Sequence, residues 1–125
     1  MGHSFGGSVA VEIARQNNHF SAGINLDGWL AMKTTAISIP FLFLMNDSFF
    51  PPGKEEGMQE IQGTCKNSGA SCAVEIIPGA GHDSFSDFGF LKWPFNTLGD
   101  PGRGDAYEIF KNINEKIFNF LGNKK

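Results

Sequence analysis

The chain has 125 residues, 41% of them hydrophobic and 13% aromatic, enough to bury one core of ordinary domain size. Its formal net charge is −3 and its basic run is Lys124-Lys125, which argues against a nucleic-acid partner, since phosphates call for clustered Lys and Arg. The longest apolar stretch, Pro40 to Met45, falls far short of the roughly 18–20 residues of a membrane span.

In chain order, the first element is a turn. Gly2-His3-Ser4-Phe5-Gly6-Gly7 spells G-x-S-x-G, with glycines where a strand and a helix approach too closely for a Cβ. Such a turn holds Ser4 in an uncommon conformation with its Oγ exposed. A strand belongs before it, and Met1 alone stands there. Phe5 to Asn17 reads as a helix, with Val9, Ala10, Ile13 and Ala14 on its buried side and Asn17-Asn18 marking its end. Ala22 to Asp27 is a short buried strand closed by Gly28. Ile39 to Asn46 is an almost continuous apolar run, the pattern of a strand covered on both faces, with Pro40 near its start where a missing N–H costs least.

Lys54 to Asn67 is a polar helix, and Ala73 to Ile77 a strand closed by Pro78-Gly79. Arg103 to Leu121 is the terminal helix, with Ile109, Phe110, Ile113, Ile117, Phe120 and Leu121 spaced at three and four residues and Gly122 as its stop. Strands alternating with helices predict an α/β domain over 1–125, a parallel sheet of three strands flanked by helices.

Cys65 and Cys72 flank Asn67-Ser68-Gly69-Ala70-Ser71. They are read as unpaired thiols; a bond between them would close a small loop and imply an oxidising compartment. His3, His19 and His82 are scattered and neither cysteine has metal-ligand spacing beside it, so no metal site is expected.

The chemistry starts from Ser4. A G-x-S-x-G turn between strand and helix is the nucleophile elbow of α/β-hydrolases, in which the following residue, here Phe5, offers its backbone N–H to the oxyanion. A serine nucleophile needs a base and the base an orienting acid, in the chain order Ser, Asp or Glu, His. His82 is the candidate base. It follows the third strand in the flexible turn Pro78-Gly79-Ala80-Gly81-His82, at the carboxyl end where catalytic groups of open α/β sheets collect. His19 reads as a surface residue and His3 as packing beside the turn. Two aspartates end strands: Asp27 in Leu26-Asp27-Gly28-Trp29 and Asp47 in Met45-Asn46-Asp47-Ser48. Fold logic slightly favours Asp47, and the other of the pair is then a turn-forming aspartate. Asp83 neighbours His82 and points elsewhere, and Asp87 reads as a helix-turn residue.

The stretches Gly2-His3-Ser4-Phe5-Gly6-Gly7, Gly23-Ile24-Asn25-Leu26-Asp27-Gly28-Trp29 and Gly81-His82-Asp83-Ser84-Phe85-Ser86-Asp87-Phe88 together resemble the platelet-activating factor acetylhydrolase family of α/β-hydrolases. The resemblance implies Ser4 as nucleophile, Asp27 as acid and His82 as base of a carboxylic ester hydrolase that needs no cofactor and acts on short-chain or phospholipid acyl esters. It covers only the family's C-terminal half. On that reading the fold is a partial α/β-hydrolase starting at the elbow. The strand before Gly2 and the loop with a second oxyanion donor then lie outside these residues, and the isolated chain turns over little ester. Two rival expectations stand beside it. One is a polyester hydrolase or cutinase-like esterase with Asp47 as acid, since those enzymes carry their acid in a stretch similar to Asn46-Asp47-Ser48. The other is an inactive remnant kept as a binding module. No signal peptide is visible, and a secreted and a cytoplasmic protein both fit. Finally, Phe88-Gly89-Phe90-Leu91-Lys92-Trp93-Pro94-Phe95 is expected to pack on its own core; its functional reading is a contact of Trp93 with an acyl chain or lipid surface.

Overall fold

The computed structural model describes all residues except 17–18, 32–35, 48–54, 69–71, 92–98 and 123–125. In order these form β1 (Gly2–His3), α1 (Phe5–Gln16), β2 (Gly23–Leu26), β3 (Phe41–Asn46), α2 (Glu55–Asn67), β4 (Cys72–Ile77), two 3₁₀ turns (His82–Phe85 and Asp87–Phe90) and α3 (Ala106–Gly122). The strands make one sheet in the order β1-β2-β3-β4, with β1 parallel to β2 and β2 parallel to β3. The expected three strands are therefore joined by a fourth, the two residues just before Ser4. Gly2 pairs with Asn25 and His3 with Leu26, so even this short piece extends the sheet.

The chain divides into two compact units, the first of Met1–Met45 with Phe50–Glu75 and the second of Asn46–Phe49 with Ile76–Lys125. In the first, β3 carries the core. Phe41, Leu42, Phe43, Leu44 and Met45 are all buried, as a parallel strand covered on both faces requires. Pro40 stands just ahead of it, where its lack of an N–H is harmless, and its carbonyl accepts the Gly23 N–H at 3.0 Å. α1 buries Gly7, Ser8, Val11 and Ala14, small residues that let a helix lie close to a sheet. Val9 and Ile13, expected on the buried side, are 40% and 44% exposed. The reason is a phase shift: the narrow face of small residues points at the sheet, and the bulkier pair flanks it. They line an apolar groove with Met1, Gly6, Phe20 and Ile39. On α1 Arg15 also hydrogen-bonds Glu12, holding that carboxyl below the usual range while Glu12 raises the guanidinium.

α2 buries Met58, Ile61 and Thr64, one face of a mostly polar helix. Its last turn and the start of β4 bring the Cα atoms of Cys65 and Cys72 to 5.1 Å, and the two are disulfide-bonded. The unpaired-thiol expectation is overturned. Cys65→Ser is expected to lower stability by about 2–3 kcal/mol, the size set by closing a loop this short. Urea titration checks it: the midpoint falls at constant slope, and adding reductant to the unsubstituted chain reproduces the loss.

In the second unit α3 begins at Ala106 rather than Arg103, because Asp105 caps it. The Asp105 Oδ1 accepts the Tyr107 and Glu108 N–H groups, each at 3.0 Å. Of its apolar stripe only Ile109 and Ile113 are buried; Phe110 and Leu121 are more than 40% exposed. Phe110 meets Phe90 edge to face at 5.3 Å between centroids. The predicted helix end at Asn17-Asn18, Lys54, and Trp93 and Phe95 of the aromatic loop lie outside the described residues.

Candidate active site

Ser4 sits between β1 and α1 at φ +55°, the left-handed region that costs a residue with a side chain about 1–2 kcal/mol. Its backbone is tied on both sides. The Ser4 N–H donates to the Leu26 carbonyl at 2.9 Å, carrying the parallel ladder one residue past β1. The Ser4 carbonyl accepts the Gly7 and Ser8 N–H groups at 2.9 and 3.2 Å, which starts the helix. Phe5 opens α1, so its N–H is one of the helix-start donors without a partner inside the helix.

The glycines divide differently from the expectation. A Cβ on Gly2 would stand 2.1 Å from the Gly6 carbonyl oxygen, so no side chain fits there. A Cβ on Gly6 meets nothing within 4 Å, and Gly6 is among the residues lining the apolar groove. The second tight position is Gly7, whose Cβ would lie 2.4 Å from the Asn25 side-chain oxygen.

Asp27 follows β2 and repeats the conformation of Ser4, at φ +54°. Continuing the β1–β2 register brings it opposite Ser4. It is 2% exposed, and its N–H donates to the Leu44 carbonyl at 2.8 Å. Beside it, the amide of Asn25 brackets Gly28, donating to the Gly28 carbonyl at 2.9 Å and accepting the Gly28 N–H at 2.7 Å. Gly28 is as confined as Gly2: its Cβ would be 2.3 Å from the Ser4 carbonyl oxygen. The Ser8 hydroxyl donates to the Trp29 carbonyl at 2.6 Å, binding the turn after Asp27 to the first turn of α1. Sequence reasoning passed over Asn25 and Ser8. The signal available was an amide in the middle of an otherwise apolar strand.

In the second unit His82 is half-buried at the start of the first 3₁₀ turn. The turn leading to it, expected to be flexible, is tied down. The His82 N–H donates to an Asp100 carboxylate oxygen at 3.3 Å, the Asp83 N–H to the Asp100 carbonyl at 2.8 Å, and the Asp100 N–H returns to the Asp83 carboxylate at 2.6 Å. Buried Ser84 accepts the Gly81 N–H at 3.0 Å and donates to the Pro101 carbonyl at 2.7 Å. Asp47 is exposed, and its carboxylate accepts the N–H of Gly79, which stands at φ +76°. Asp87 opens the second 3₁₀ turn, and His19 is on the surface. Among the described residues no three of His, Cys, Asp and Glu come together as a metal-binding group.

The model of the family described as platelet-activating factor acetylhydrolase, isoform II, matches residues 1–125. The chain is 29% identical over 97 residues to the platelet-activating factor acetylhydrolase of Gallus gallus, covering 74% of this chain and 22% of that protein. To the enzyme of the same name from Canis lupus familiaris it is 29% identical over 118 residues, 87% of this chain and 26% of that one. Among solved structures, the ferulic acid esterase from Streptomyces cinnamoneus superposes with a TM-score of 0.77 at 24% identity, over 95% of this chain and 37% of its own. The chain thus spans about a quarter of the length of the curated relatives it matches. The structural likeness is one of fold, a parallel sheet flanked by helices.

Proposed function

Because this chain belongs to the platelet-activating factor acetylhydrolase family, isoform II, we propose that it carries the triad of a serine carboxylic-ester hydrolase: Ser4 the nucleophile, His82 the base, Asp27 the acid. The observation that carries the reading is the pair of left-handed residues, Ser4 and Asp27, on neighbouring strand ends. Strain of this kind persists only where the surroundings over-determine it, and it clusters where chemistry is done. The turn that lifts Ser4 off the sheet also leaves the Phe5 N–H at the helix start, suited to a developing oxyanion.

In the proposed reaction His82 takes the proton from the Ser4 hydroxyl as its oxygen bonds to the ester carbonyl carbon. The carbonyl becomes an oxyanion, steadied by the Phe5 N–H. Collapse breaks the ester C–O bond, and His82 returns the proton to the departing alcohol. Water then attacks the acyl-serine by the same route, releasing the carboxylic acid and restoring Ser4. Asp27 keeps the imidazole in the required tautomer and offsets its charge. In this scheme Asp47 is a turn residue, its carboxylate accepting the Gly79 N–H. The substrates proposed are esters of short acyl chains, including the acetyl and oxidised acyl groups of phospholipids.

A fluorophosphonate probe tests the assignment. It is expected to label Ser4 once per molecule, found by peptide mass spectrometry, and to leave Ser4→Ala untouched; labelling elsewhere would refute it.

The aromatic segment after His82 extends the proposal to lipid contact. Phe88 is 58%, Phe90 44% and Leu91 40% exposed, an apolar run fit for an acyl chain or aggregated ester. Phe88→Ser with Leu91→Ser is expected to slow hydrolysis of micellar phospholipid esters several-fold more than that of soluble p-nitrophenyl acetate. Equal losses on both substrates would assign the segment to the fold alone.

A further inference from the structure

We infer that Asn25 is a positioning residue for the reaction, acting through Asp27; the inference rests on the reading of Asp27 as the acid. Asn25 is fully buried in β2, between Ile24 and Leu26. An amide there costs free energy unless both of its ends are satisfied, and an apolar residue of similar size would fill the space without that demand. Here both ends go to one residue. The donor meets the Gly28 carbonyl at 2.9 Å and the acceptor the Gly28 N–H at 2.7 Å, closing a ring around the backbone of residues 25–28.

Asp27 lies inside that ring. On its other side its N–H is held by the Leu44 carbonyl, so the left-handed backbone of Asp27 is fixed from both directions and its Cα–Cβ bond has one heading. A parallel ladder alone does not hold φ near +54°; the bracket ties down the chain on both sides of it. The same amide also sets the distance to the nucleophile turn. Its oxygen occupies the space that a Cβ on Gly7 would enter, while Gly28, drawn in by the bracket, lies against the Ser4 carbonyl and the Ser8 N–H. One side chain therefore registers the acid's backbone against the serine's.

The test is a double-mutant cycle in a preparation that turns over p-nitrophenyl acetate. Asn25→Ala is expected to lower kcat by about 10²-fold, the effect of a displacement near 1 Å, with KM changed by less than about twofold. In the Asp27→Asn background the same substitution is expected to cost less than about twofold, because the group it positions is already disabled. The full loss recurring in that background would overturn the positioning role while leaving Asp27 as the acid. An Asp27→Asn variant with near-normal kcat would instead remove the acid reading itself. A raised KM with unchanged kcat would reassign Asn25 to substrate binding. Should Asn25→Ala not fold, Gly7→Ala keeps the amide but brings a Cβ within 2.4 Å of its oxygen, which must then shift from the Gly28 N–H. The same kcat loss and the same silence in Asp27→Asn are expected of it; a normal kcat in folded Gly7→Ala would overturn the inference.

Discussion

In a preparation that turns over p-nitrophenyl acetate, replacing Ser4 or His82 by alanine is expected to lower kcat for ester hydrolysis by about 10⁶-fold in each case, and replacing both to lower it little further. The near-identity of the three values is the informative part. A nucleophile without its base, or a base without its nucleophile, leaves only what ester binding and the oxyanion donor can do. Independent contributions would multiply instead. KM is expected to stay within a few-fold, because neither side chain holds the ester in its ground state. Steady-state kinetics on p-nitrophenyl acetate, with circular dichroism to show that the variants fold, decides it. A Ser4→Ala variant within about tenfold of normal turnover would remove Ser4 from the mechanism.

The acid is separated from its rival by a matched pair. Asp27→Asn is expected to cost about 10⁴ in kcat, since an amide of the same shape presents the wrong hydrogen-bonding pattern to the imidazole. Asp47→Asn is expected to retain activity within about tenfold. The asymmetry follows from environment. Asp27 is 2% exposed at a neighbouring strand end to Ser4, where a carboxylate interacts strongly. Asp47 is exposed and holds the Gly79 N–H, a task the asparagine oxygen also performs. The reverse ranking of the two variants would move the acid to Asp47 and the chain's kinship in mechanism toward the polyester hydrolases.

Much of the framework was legible because its signals are local. The unbroken apolar run at Phe41–Met45, the punctuation by Gly28 and Pro78-Gly79, and the position of Ser4 and Asp27 at strand ends need only nearest neighbours in the sequence. What was misread depends on partners distant along the chain. Val9 and Ile13 look like a core stripe until one sees that Gly7, Ser8, Val11 and Ala14 present the flatter face to the sheet. Gly6 looks as constrained as Gly2, yet the Gly6 position is open and the crowding falls on Gly7, through Asn25. The Cys65–Cys72 bond was left out because the sequence does not state how α2 and β4 approach one another. The start of α3 shifted for a local reason that had been overlooked, the Asp105 cap.

The two left-handed residues also bear on how this protein responds to selection. Glycine adopts φ near +55° freely, so Ser4→Gly and Asp27→Gly each release about 1–2 kcal/mol of backbone strain. A library sorted for heat resistance alone is therefore drawn to Ser4→Gly, which abolishes the proposed chemistry, and thermostable variants of this chain have to be sorted on turnover from the first round.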